Sequence, residues 1–184
     1  MNIPLSCGLH LRFLASTDAA PLHKLIAANR ERLADSFPIL LSSTSDVVSA
    51  LQYVQTKLRE MKERTFYSFV LADEREDLFG YVSLKNVDWS VPKAEVAYYI
   101  DRGFEGKGIT SEALEKVCRY AFDELGINKL FLRVSPGNPG SRRVAEKCGF
   151  EKEGLLRSDF KTSAGELIDV EYFGRVRQKP GSES

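Results

Sequence analysis

Cysteine is scarce and badly placed for shared chemistry: Cys7, Cys118 and Cys148 are the three in 184 residues. Their odd number, wide spacing and lack of a C-x-x-C pair exclude a disulfide framework and a zinc site, and predict reduced, mostly buried thiols. Histidine is scarcer still. His10 and His23, both near the start, are too few for a metal cluster, so no metal is expected. No apolar run approaches the roughly 20 residues that a membrane-spanning helix needs. The stretch from Met1 to Leu14 lacks the basic start, long apolar core and small-residue cleavage site of a signal peptide. The expectation is a cytoplasmic protein without a membrane partner. A charge excess is also missing. The 26 Lys and Arg balance the 26 Asp and Glu, so no net field draws the chain to nucleic acid; a local basic patch stays open, for example around Arg142, Arg143 and Lys147. Internal repeats and low-complexity linkers are absent.

What is present is ordinary globular composition, 43% hydrophobic and 28% charged, in a length that suits one domain and falls short of two. Only the ends read as loose: residues 1–8, and a polar tail over 178–184 with Pro-Gly-Ser character. The domain is expected over 9–177. Within it the hydrophobic period switches several times. Leu9 to Leu14 reads as a strand and Thr17 to Asn29 as a helix with Leu22, Leu25 and Ile26 on one face. A loop at Ser36-Phe37-Pro38 leads to a long helix, Ser45 to Lys62, in which Val47, Val48, Leu51, Val54 and Leu58 recur at helical spacing. Three strands follow at Thr65–Ala72, Leu78–Asn86 and Lys93–Ile100, separated by turn residues. After a glycine-rich loop comes a helix with Ile109, Ala113, Val117, Cys118, Ala121, Phe122 and Leu125 on one face. Strand Lys129–Val134, a short helix Pro139–Cys148 and strands Lys152–Lys161 and Glu166–Val176 complete the domain. This order predicts an α/β (α+β) domain: a mixed central sheet of about seven strands with about four helices on its two faces.

Two stretches carry chemistry. Phe104-Glu105-Gly106-Lys107-Gly108-Ile109-Thr110 lies between a strand and a helix N-terminus. Such a junction aims unpaired N–H groups and the positive end of the helix dipole at one spot, and glycine lets that backbone approach a phosphate. The same glycines would also serve a simple tight turn. The spelling excludes a Walker A loop, because Gly108 follows Lys107, and excludes the dinucleotide G-x-G-x-x-G. The second stretch is Asn138-Pro139-Gly140-Ser141, continuing to Cys148-Gly149-Phe150. Asn138 is a good N-cap, Pro139 suits the first helical position, and Gly149 suits the left-handed C′ position with Phe150 packing back. Capping explains the helix but gives Ser141 no role.

In order and spacing, the two stretches together resemble the GNAT superfamily of N-acetyltransferases, over roughly Leu9 to Arg177. Within it, Val96-Ala97-Tyr98-Tyr99-Ile100, Gly106-Lys107-Gly108-Ile109, Ser111-Glu112-Ala113-Leu114 and Asp169-Val170-Glu171-Tyr172 look most like the ribosomal-protein (alanine/serine) N-terminal acetyltransferases. The resemblance implies a single GNAT-like domain with acetyl-CoA as acyl donor. The amides over Gly106, Lys107, Gly108, Ile109 and Thr110 would hold its pyrophosphate. Tyr99 and Ile100 would bond the pantetheine arm between two splayed parallel strands, with Asn138 on the other side. Arg142, Arg143 or Lys147 would reach the 3′-phosphate unless they form a solvated helix face. Glu105 departs from the usual Gln or Arg. Ala145 stands where many members carry a tyrosine acid.

The resemblance further implies direct attack of a primary amine on the thioester, the acceptor being a protein N-terminus of ribosomal type, with a homodimer plausible by likeness. Ser141 would sit beside the sulfur. The candidate bases are Asp159 and, second, Glu95. A backbone N–H at a bulged end of the Val96–Ile100 strand would face the oxyanion. Asp169 reads as structural, and Tyr172 as packed, with service as the acid its alternative role. Arg30, Arg32, Phe37 and Trp89 are candidate acceptor contacts. Acetylation of a small amine (a polyamine, aminoglycoside or amino-acid derivative) and acyl-CoA binding without catalysis remain alternatives, distinguished by an acidic pocket or an absence of turnover. A cysteine nucleophile is disfavoured, because Cys118 and Cys148 fall on apolar helix faces.

Overall fold

Six consecutive residues, Tyr67–Ala72, are buried, which a strand achieves only when both faces of its sheet are covered. The computed structural model describes residues 2–178 and shows how that cover arises. In chain order the elements are β1 (Asn2–Pro4), β2 (His10–Phe13), α1 (Ala19–Ala28), α2 (Arg30–Leu33), α3 (Pro38–Ser43) and α4 (Val47–Lys62). They continue as β3 (Tyr67–Ala72), β4 (Leu78–Asp88), β5 (Lys93–Ile100), α5 (Ile109–Arg119), β6 (Lys129–Val134), α6 (Pro139–Lys147), β7 (Glu151–Lys161) and β8 (Leu167–Val176). The strands form one mixed sheet in the order β1-β2-β3-β4-β5-β6-β8-β7. Strand alternation splits β3 between two cores. Phe69 and Leu71 pack with Leu114, Val117 and Phe150 from the α5 and α6 side. Val70 faces Leu22, Ile26 and Val54 from the α1 and α4 side. Each fully buried side chain of this size contributes about 1.5–3 kcal/mol.

Capping follows the local sequence. Asn138 accepts from the Ser141 N–H at 2.9 Å. At the other end of α6, Gly149 has φ 70°, and the Phe150 and Gly149 N–H groups return to the Ala145 and Glu146 carbonyls, both at 3.0 Å. This is the Schellman closure expected of a glycine at C′, and it delivers Phe150 into the core. Helix α5 runs on through a π-helical turn, Tyr120–Glu124, before Gly126 (φ 74°) ends it.

Several expectations need correction. Residues 1–8 include a strand, β1, paired antiparallel with β2, so the described residues form eight strands instead of about seven. Pro38, expected in a loop, instead starts α3, as proline at a first helical position can. The two short helices α2 and α3 bring the α-helices among the described residues to six. Of the apolar stripe of α4 Val54 is buried, beside Ala50, and Leu58 is half-buried, while Val47, Val48 and Leu51 stay exposed. The expected tail lies, beyond Gln178, outside the described residues.

One irregularity positions the site. Strands β5 and β6 are parallel, and their pairing covers just Lys93↔Lys129, Ala94↔Leu130 and Glu95↔Phe131. Beyond Glu95, β5 stays in register with β4 up to Ile100, while β6 stays with β8 up to Val134. Each strand is thus held by its outer neighbour, and the sheet opens into a fork between them.

Candidate active site

Strand alternation decides which peptide groups line the fork. The Asp101 N–H bonds to the Phe79 carbonyl on β4 at 2.7 Å, and the Ala97 carbonyl accepts from Ser83 Oγ on the same side. Residues 97, 99 and 101 therefore turn their peptide groups to β4, whereas Tyr98 and Ile100 turn theirs to the fork. Tyr99, expected to bond a ligand with Ile100, lines the fork's cleft but turns its peptide group to β4. Its ring lies under the helices, stacked on Tyr81 with centroids 5.7 Å apart and edge-on to Phe37. The expected bulge is also displaced: β5 is regular, and the extra residue lies on β4 near Asn86 (φ 51°).

The fork widens into a cleft of about 720 Å³, lined among others by Tyr98, Ile100, Gly106, Gly108, Thr110, Asn138, Ser141, Arg143 and Lys147. At its mouth the chain turns into α5 through Gly106 and Gly108, both left-handed (φ 73° and 79°), the region that favours glycine. Among the described residues the N–H groups from Gly106 to Ser111 have no backbone or side-chain acceptor; the first N–H of this turn to find one is that of Glu112, on the Gly108 carbonyl. A run of free donors at a helix N-terminus is an anion site. A methyl group on Gly108 would lie 3.8 Å from Lys147 Nζ, with no closer heavy atom, so loop and ammonium face one gap. Lys147 and Arg143 have no carboxylate partner among the described residues, whereas Arg142 is bound to Glu171 at 2.8 Å and is not free for a ligand. Ile109 contributes only its amide, since its side chain is buried in the core. Lys107 Nζ folds onto the Gly103 carbonyl at 2.8 Å.

Across the cleft, α6 is tied to β5. Tyr98 Oη donates to the Ser141 carbonyl at 3.0 Å, and burial pushes the Tyr98 phenol well above its ordinary pKa. This fixes the first turn of α6, with Ser141, over the fork. Asn138 spends Oδ1 on capping. Ala145 is fully buried, so no acid can project from that position.

At the base of the fork lies a charge cluster. Glu95 is 3% exposed. Its Oε1 pairs with Lys85 Nζ and Arg133 Nε, each at 3.1 Å. Its Oε2 accepts from Asn86 Nδ2 at 2.7 Å and Arg133 Nη2 at 3.2 Å. Four donors occupy the lone-pair sites of this carboxylate. The same Arg133 reaches Asp159 Oδ2 at 3.2 Å. Asp159 lies where β7 carries two extra residues between Leu156 and Phe160 against β8, a distortion of the kind that re-aims side chains. Asp169 braces it by accepting from the Ser158 N–H at 2.9 Å.

The family model for the acetyltransferase (GNAT) domain matches residues 9–151. The chain belongs to the GNAT acetyltransferase family. YdaF of Bacillus subtilis (strain 168) is 32% identical over 174 residues, 92% of this chain and 91% of that one. The ribosomal-protein-serine acetyltransferase of Escherichia coli (strain K12) is 25% identical over 178 residues, 95% and 96% of the two chains. A spermidine N(1)-acetyltransferase of Vibrio cholerae is 32% identical over 92 residues, 50% of this chain and 53% of that one. In fold, the chain is similar to the crystal structure of a ribosomal-protein-S5-alanine acetyltransferase from Vibrio fischeri, with a TM-score of 0.88 at 21% identity over 98% of this chain and 100% of that one.

In this acetyltransferase the structure brings Ser141, Gly106, Gly108, Thr110, Asn138, Ile100 and Glu95 to one cleft; Asp159 is not part of that lining and is joined to Glu95 through Arg133. Of the expected acceptor contacts, Arg32 and Phe37 line the cleft. Trp89 instead donates to the Arg64 carbonyl at 2.9 Å, outside it. Arg133, Lys85 and Tyr98 were not legible as site residues, because each acts through a partner at least ten residues away in sequence. Cys118 and Cys148 are buried and free; burial pushes the Cys148 thiol up to about 11, which leaves no thiolate nucleophile.

Proposed function

We propose that the chain transfers acetyl from acetyl-CoA to a primary amine, the acceptor being a protein N-terminal α-amine of ribosomal type. The observation that carries the donor assignment is the run of free N–H groups from Gly106 to Ser111 at the mouth of the β5–β6 fork. These amides, with Lys147 above Gly108, suit a diphosphate. The open edges of Tyr98 and Ile100 suit the amides of an extended pantetheine arm. Acetyl-CoA supplies the activated thioester that an amine attacks directly. The chain's own residues orient the partners. In this reading Ser141, whose helical turn Tyr98 holds over the fork, hydrogen-bonds the departing sulfur, and the Tyr98 N–H, on the strand edge turned from β4, faces the developing oxyanion.

Asp159 is the better candidate for a water-mediated base, since every lone pair of Glu95 is engaged. Modest help is enough for an α-amine. With a pKa near 7.8 it is roughly one-third neutral at pH 7.5, against about one in a thousand for a lysine side chain.

The charges of the cleft support this acceptor over a polyamine. Its two lining carboxylates are Glu95 and Glu105; the first is paired with Lys85 and Arg133 and the second with Arg32. Neither is left for the second cation of a polyamine, and the nearby Asp159 is itself paired with Arg133. The partial similarity to a spermidine acetyltransferase makes that amine the competing reading. Thiol release from acetyl-CoA, followed with peptides bearing free or blocked N-termini and with spermidine, decides between them. Turnover on free N-termini is expected, and turnover on spermidine alone overturns the acceptor assignment.

A further inference from the structure

Glu105 sits immediately before the run of free amides and lines the same cleft, so a carboxylate stands beside the proposed diphosphate position. Left alone it would repel the ligand. It is not alone, because Arg32 of α2 pairs with it through Nη2. The other guanidinium nitrogen donates to Asn29 Oδ1 at 2.8 Å and to the fork-facing carbonyl of Ile100 at 3.4 Å. Asn29 is 3% exposed. Its Nδ2 bonds the Leu25 carbonyl at 2.9 Å and Asp101 Oδ2 at 2.8 Å, while Asp101 Oδ1 accepts from the Gly103 N–H at 2.8 Å. One polar relay thus joins the end of α1, the start of α2, the tip of β5 and the beginning of the loop. The Arg32 and Glu105 side chains are 40% and 48% exposed, and an ion pair so exposed contributes little to stability. Such a costly relay behind an exposed pair points to ligand chemistry.

We propose that Arg32 is a positioning residue of the donor site: it neutralises Glu105 and holds a positive charge at the diphosphate, making helix α2 and the anion loop one electrostatic unit. This rests on the acetyl-CoA reading and deepens it. Arg32 also closes the cleft at the tip of β5, so the arm that balances the donor loop belongs to a helix on the acceptor side.

The test is calorimetry of acetyl-CoA binding to wild type, R32A, E105Q, R32A/E105Q and R32K, beside steady-state kinetics. An uncompensated like charge lining the same cleft as the diphosphate, at an effective dielectric between those of surface and bulk, weakens binding by about tenfold. R32A is therefore expected to lose about tenfold in affinity and to raise KM for acetyl-CoA by a similar factor. The deficit should shrink in 1 M salt, where the screening length falls to about 3 Å. E105Q should restore R32A to near wild-type affinity, and R32K should retain most of it. Pantetheine, which lacks the diphosphate, should bind R32A and wild type alike. A merely structural pair would give no rescue by E105Q and no salt dependence. Equal affinity of R32A and wild type, or failure of the double variant to recover, overturns the proposal while leaving the donor reading intact. A wild type that binds no acetyl-CoA overturns both.

Discussion

Gly108 allows the donor assignment to be separated from simple chain stability. Its φ of 79° lies in the left-handed region, where a side chain costs about 1–2 kcal/mol. Gly165, in the β7–β8 hairpin, has φ 83° and a comparably open Cβ position, with Lys161 Cε 3.8 Å away. Alanine at either site should carry the same backbone strain. At about 2–4 °C per kcal/mol for a chain of this size, each variant should melt about 2–8 °C lower. The two differ in what the methyl group faces. On Gly108 it points into the gap between the free amides and Lys147 Nζ, 3.8 Å from the ammonium. On Gly165 it meets only a hairpin lysine. Displacing one charge-assisted hydrogen bond of the diphosphate removes about 1.5–3 kcal/mol, which is roughly ten- to a hundredfold in affinity. Calorimetry with acetyl-CoA should therefore show G108A at least tenfold weaker and G165A unchanged, at matched melting temperatures. If G108A binds as tightly as G165A, the loop does not hold the diphosphate.

The other predictions concern chemistry and pH. S141A should lower kcat by tenfold or more while leaving acetyl-CoA affinity within about twofold, because the capping bond uses the Ser141 backbone and not its hydroxyl; thiol-release kinetics check this. D159N should reduce turnover with stability changed by less than about 1 kcal/mol, since Asp159 is exposed. E95Q should instead cost about 3 kcal/mol in urea unfolding, because Arg133 and Lys85 lose a buried partner. The reverse pattern would exchange the two roles. Lys152, and then Arg142, hold the buried Glu171 below the usual carboxylate range. A lowered folded pKa stabilises the protein above the unfolded value near 4.3, and that stability is lost as pH falls through the folded value. E171Q should accordingly lose its stability deficit against wild type as pH drops below about 4.3, as read by acid titration of unfolding.

Local signals made much of the frame legible. Strands β5 and β6 were read with their observed bounds because β-branched and aromatic residues fill Lys93–Ile100 and Lys129–Val134. The α6 caps followed from Asn138, Pro139 and Gly149, whose conformational needs are local. Strand β1 was missed because three residues carry no period and only pairing with β2 orders them. The exposure of Val47, Val48 and Leu51 shows that helical spacing reports amphipathicity but not how far a helix is covered. In the site, the anion loop could be read from its glycines. The orientation of Tyr98 rather than Tyr99 toward the fork could not, since it depends on which neighbour takes each peptide group. The pairings of Arg133 with Glu95 and of Arg32 with Glu105 span 38 and 73 residues, and no local pattern specifies them.

The most direct test is a crystal structure of the protein with acetyl-CoA. The diphosphate oxygens should lie within hydrogen-bonding distance of the Gly106–Ser111 amides, with the pantetheine arm along Tyr98 and Ile100 in the fork. A ligand bound elsewhere, or a fork that stays closed to it, would contradict the account.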